Sequence, residues 1–101
     1  MGKGVARVGD MTSGHDGYPG TPIITGSATM FCDGKGVACA GDRCEDHDKS
    51  HGHRHTPIVT GGSSFFTVDG RPVAVVGSEV AGNCSSENVI IGGSSTMIVE
   101  E

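Results

Sequence analysis

Three segments of this chain superimpose, and an internal repeat constrains the fold more tightly than any compositional average. They are Gly4-Val5-Ala6-Arg7-Val8-Gly9-Asp10, Gly36-Val37-Ala38-Cys39-Ala40-Gly41-Asp42 and Pro72-Val73-Ala74-Val75-Val76-Gly77-Ser78. Each is followed by a polar loop and then by a second matching stretch. Those stretches are Gly26-Ser27-Ala28-Thr29-Met30-Phe31, Gly62-Ser63-Ser64-Phe65-Phe66-Thr67 and Gly93-Ser94-Ser95-Thr96-Met97-Ile98. The first two lead into Asp33-Gly34 and Asp69-Gly70, while the third runs to Val99-Glu100-Glu101, where the next turn would begin. The 101 residues thus read as one domain of three units, over about 4–35, 36–71 and 72–101.

Each unit reads as β. Val, Ile, Thr and Phe dominate the stretches beside the turns, and Asp-Gly between two apolar runs is a strong hairpin signal. No 11-residue window carries a 3.6-residue apolar period, and glycine, at 18 of 101 positions, penalises helix. Three similar hairpins in so short a chain predict an all-β domain with pseudo-threefold packing about a central axis. A small β-sandwich with coincidental similarity is the alternative. In the two-residue hairpin of the first unit Cys32 pairs with Lys35, and the same register sets Cys39 opposite Ala28. That pairing predicts no disulfide, and it makes both cysteines small buried hydrophobes.

Loop one runs from Met11 to about Pro22, loop two from Arg43 to Pro57 and loop three from Glu79 to Glu87. Threefold packing sends all three toward one pole. All five histidines lie in these loops, His15 in the first and His47, His51, His53 and His55 in the second, together with Cys44 and Cys84. Zinc takes four nitrogen or sulfur ligands in a tetrahedron, and a small domain gains folding energy by gathering them from separate loops. His15 and Cys84 are ligand candidates, with two of the alternating His51, His53 and His55; Cys44 stays open. No C-x-x-C pair is present.

Charge and hydropathy remove several function classes. Lys plus Arg is 7 against 12 for Asp plus Glu, a net charge of −5, which disfavours nonspecific binding to nucleic acid or anionic membrane. Apolar runs such as Val73-Ala74-Val75-Val76 fall far short of the roughly 20 residues a membrane-spanning helix needs. The first residues carry no apolar signal region, and Ala6 stands where a myristoylation motif wants Ser or Thr. The expectation is a soluble chain that begins in the cytoplasm.

The threefold frame, with Gly-Asp after apolar tetrapeptides and Gly-Ser before each second stretch, resembles the PAAR-repeat proteins. The counterparts of their Pro-Ala-Ala-Arg tetrapeptide are Gly4-Val5-Ala6-Arg7, Gly36-Val37-Ala38-Cys39 and Pro72-Val73-Ala74-Val75, none of them complete. The resemblance covers about Gly4 to Val99. It implies a cone-shaped domain that caps the spike of a type VI secretion system. Its broad face would sit on the blunt end of a trimeric VgrG-type β-helical spike, one chain per trimer, aiding membrane puncture and the delivery of effectors carried non-covalently. It also implies one structural zinc at the point, held by three histidines and one cysteine. Mapped onto this chain, those are His15, His53 and Cys84, with the fourth drawn from His51, His47 or Cys44 and assigned to His51.

The resemblance implies export on the spike, no nucleic-acid partner, only transient membrane contact and no catalysis. A phage tail tip shares fold and mechanism and differs in the machine served. Two other classes compete. A zinc hydrolase using His51-x-His53-x-His55 requires an open metal position, and only Asp46 and Asp48 stand near as acids. A metal carrier would use loop two as a chelating tract.

Overall fold

The strands are very short, because glycine recurs every few residues and each unit hands its hydrogen bonds to its neighbours after two or three positions. The computed structural model describes residues 2–14, 19–46, 56–64, 66–81 and 88–100. Among these there is no helix. The strands are β1 (Gly2–Gly4), β2 (Phe31–Cys32), β3 (Lys35–Gly36), β4 (Ile58–Val59), β5 (Thr67–Val68), β6 (Arg71–Pro72), β7 (Val80–Ala81) and β8 (Ile98–Glu100). They pair antiparallel as β1–β8, β2–β3, β4–β7 and β5–β6, and the whole measures 38 × 27 × 22 Å.

Three tiers stack along the axis. The first holds the corners. In β2–β3 and β5–β6 the turns Asp33-Gly34 and Asp69-Gly70 have φ of 53° and 77°, and of 53° and 78°. Positive φ at both central residues is the type I′ geometry, whose twist matches that of the flanking strands. Cys32 pairs with Lys35 and Val68 with Arg71, and the third corner sets Val99 opposite Lys3 in the same relation. The segment after Val99 is therefore not left open, because β1 supplies the partner strand from the other end of the chain. Gly2-Lys3-Gly4-Val5-Ala6 and Gly34-Lys35-Gly36-Val37-Ala38 are the same five residues, which is why β1 takes the role of β3.

The second tier joins the tetrapeptides around the axis. Val5 bridges Val75, Arg7 bridges Val37 and Cys39 bridges Val73. At the centre the Ala6 N–H donates to the Ala74 carbonyl, Ala74 to Ala38, and Ala38 back to Ala6, each at 2.9 Å. Cys39 thus pairs with Val73 and not with Ala28. The hairpin ladder ends at Phe31–Gly36, and beyond it the strand turns to the neighbouring unit for its partners. Cys32 and Cys39 are buried free thiols, as expected for small hydrophobes, and Cys44 is buried and free as well.

The third tier is a closed ring of loop stems. Met11 bridges Pro22, Ile23 bridges Cys44, Arg43 bridges Ile58, β4 pairs with β7, Glu79 bridges Val89, and Ile90 bridges Thr12 to close the circuit. Alternation along the tetrapeptides separates two cores. Val5, Val37 and Val73 face a cluster with Cys32, Val68 and Val99 from the corners. Ala6, Ala38 and Ala74 face a second cluster with Ile23, Cys44, Val59, Val80 and Ile90 from the stems. Full burial of each Val or Ile contributes roughly 1.5–3 kcal/mol, so two small cores hold the tiers together with no fully buried aromatic side chain among the described residues.

Candidate functional site

The stem ring fixes where the three loops begin and end. The last paired residue before loop one is Thr12 and the first after it Pro22, those of loop two are Cys44 and Ile58, and those of loop three are Ala81 and Val89. All six points belong to segments joined in one hydrogen-bonded circuit, so the loops are rooted at a common pole. His15, His51, His53 and Cys84, with His47 and His55, lie outside the described residues. Among the described residues no group of three or more His, Cys, Asp or Glu is arranged to hold a metal.

Cys44, left open by the sequence, has a clear place. Its position in the ring matches Thr12 and Val80 in the other units: the Cys44 N–H donates to Pro57 as Thr12 does to Thr21 and Val80 to Asn88. All three side chains are buried, Cys44 completely. Burial pushes its thiol up to about 11, which disfavours the thiolate that metal ligation requires. Cys44 is a core residue.

Beneath the loops the neck is polar, a feature the sequence reading missed. Thr12 Oγ1 and Thr21 exchange hydrogen bonds at 3.1 and 3.2 Å, and Thr21 Oγ1 donates to the Glu45 carbonyl at 2.7 Å. Asn88 Oδ1 accepts the Gly14 N–H at 2.9 Å and the Ser13 hydroxyl at 3.3 Å. Asp46 accepts from Thr56 Oγ1 at 2.6 Å. Thr21, Pro57 and Asn88 occupy one position in the three units, and the substitution of polar residues for Pro57 was the only signal in the sequence.

The opposite pole is apolar. Met30, Phe66 and Met97, again one position in three units, pack half-buried against the corner core. Beside them Phe31 and Ile98 are 59% and 50% exposed, with Thr67 as the third, polar equivalent. Around this end the turn aspartates clasp the next unit. Asp33 accepts from Ser94 Oγ at 2.7 Å, Thr96 Oγ1 at 2.6 Å and Arg7 Nη1 at 2.7 Å. Asp69 accepts from Ser27 Oγ at 3.1 Å and Thr29 Oγ1 at 2.9 Å.

One end of the molecule thus carries the half-buried Met30, Phe66 and Met97 with Phe31 and Ile98 exposed beside them, and the other is the ring of loop stems. No helix among the described residues is long and apolar enough to cross a membrane. The family model described as "PAAR motif" matches three times, over residues 1–45, 13–66 and 47–101. No curated protein matches the chain.

Proposed function

The chain belongs to the PAAR motif family, the spike-tip proteins of type VI secretion and related machines; from that premise we propose that it caps the blunt end of a trimeric VgrG-type β-helical spike, one chain per trimer. The observation that carries this reading is the apolar, three-cornered pole. A trimer's end presents three identical edges, and a pseudo-threefold chain meets all three with one molecule. Met30, Phe66 and Met97 stand around the axis with Phe31 and Ile98 exposed beside them, a patch of the kind that marks an interaction site. Covering a spike's open strand edges also removes a template for aggregation.

The other pole would carry one structural zinc. Three imidazoles and one thiolate are an ordinary zinc donor set, and His15, His51, His53 and Cys84 would supply it, each from a loop rooted in the stem ring. Four protein ligands leave no open coordination position, so the reading is mechanical rather than catalytic. When bound, the ion supplies a cross-link between three loops that a sparse core cannot stiffen alone. Stiffness at the point suits puncture, with the chain exported on the spike and any effector carried non-covalently.

The test is metal analysis of the purified chain together with native mass spectrometry after co-expression with a spike β-helix fragment. We expect one zinc per chain and one chain per three spike chains. Cys84→Ser should lower zinc content well below one, and Met97→Glu should weaken the complex at unchanged zinc content. A complex indifferent to Met97→Glu and to Met30→Glu would remove this face as the docking surface.

A further inference from the structure

We propose that Asn88 is a positioning residue of the zinc-bearing pole, a latch that fixes loop three against loop one beside their ligands; this rests on the zinc reading above. Asn88 is only 3% exposed. Because the Gly14 N–H can only donate, the atom it meets at 2.9 Å is the Asn88 carbonyl oxygen, which also accepts the Ser13 hydroxyl at 3.3 Å. The two loops then reciprocate. Ser13 N–H donates to the Val89 carbonyl at 2.8 Å, and Val89 N–H donates to Ser13 Oγ at 3.1 Å. Residues 13–14 and 88–89 are therefore bound by main chain and side chain together. Gly14 directly precedes His15, and Asn88 lies four residues after Cys84.

One further observation singles Asn88 out. Its equivalents are Thr21 and Pro57; Thr21 ties loop one to loop two through the Glu45 carbonyl, and Pro57 has no donor to offer. Loop one is thus held on both sides by side chains, toward loop two by Thr21 and toward loop three by Asn88 together with Ser13. A buried amide at the root of the loop that bears Cys84 is the kind of outer-shell group that orients ligands. Gly14 has φ of 76°, a conformation that glycine adopts without strain.

The experiment compares wild type, Asn88→Leu, Asn88→Asp and Ser13→Ala by the rate of zinc release to a chelator and by hydrogen exchange at the Gly14 amide. Asn88→Leu is expected to keep the β signature, to lose Gly14 protection and to release zinc about tenfold faster or more, the scale of outer-shell substitutions. Asn88→Asp, which retains the acceptor, should restore Gly14 protection and slow release. Should Asn88→Leu fail to fold, Ser13→Ala carries the comparison and should speed release by a smaller factor. Lost Gly14 protection with unchanged zinc release overturns the positioning role, and unchanged protection overturns the latch itself. If wild type binds no zinc, the zinc reading fails, and Gly14 exchange still tests the latch.

Discussion

Asp33 does three jobs with one carboxylate. It sits first in a type I′ turn, it takes two hydroxyls from the third unit, and it receives Arg7 from its own unit. The Ser94 and Thr96 hydroxyls, with Arg7 and the Cys32 thiol adding less, hold its carboxyl at about 2, below the ordinary 3.8. A lowered folded value means that the unfolded chain binds more protons between those two pH values. The clasp therefore stabilises fully above about pH 4 and loses its contribution as pH falls toward 2. Urea midpoints of wild type and Asp33→Asn should differ at pH 6 and converge by pH 2. A gap that persists at pH 2 would show that the ionised carboxylate is not what holds the corner.

Two glycines in the first unit separate turn geometry from crowding. At Gly34 φ is 77° and a Cβ would meet nothing within 4 Å, so Gly34→Ala carries only the left-handed backbone penalty of about 1–2 kcal/mol. At Gly26 a Cβ would lie 2.6 Å from Val8 Cγ2 and 3.1 Å from the Gly36 and Val37 carbonyl oxygens. Gly26→Ala should cost more than Gly34→Ala in thermal or urea unfolding, and the reverse order would place the strain in the turn instead. The hairpins were legible in the sequence because Asp-Gly is a local signal and sets its own register. The partner of Cys39 was not, since that pairing joins residues 39 and 73 and no local rule reaches so far. The candidate ligands were legible as residue types in loops. Their neighbour Asn88 was not, because its role emerges only when Ser13 and Val89 are brought together across the ring.

At the scale of the whole molecule, three corners share one pairing geometry. Val99, Glu100, Gly2 and Lys3 stand where Cys32, Asp33, Gly34 and Lys35 stand in the first corner, and Gly2 pairs with Glu100 across that end. Joining Glu100 directly to Gly2 would create Val-Glu-Gly-Lys, which differs from Cys-Asp-Gly-Lys at two positions. With Glu100→Asp the join should close as a type I′ turn. The chain can then be opened at another corner, and the two choices are not equal. Opening between Asp33 and Gly34 frees the residue that anchors Ser94, Thr96 and Arg7, whereas opening between Asp69 and Gly70 frees one that anchors Ser27 and Thr29. Both permutants should fold, because the alanine triangle and the stem ring are untouched by either cut. The one opened at Asp69-Gly70 should show the higher urea midpoint, since Asp69 holds two hydroxyls where Asp33 holds two hydroxyls and Arg7. If neither folds, the third corner differs from the other two in more than the break in its chain. If the order is reversed, the Arg71–Asp42 pair beside the second cut outweighs the Arg7–Asp33 pair at the first.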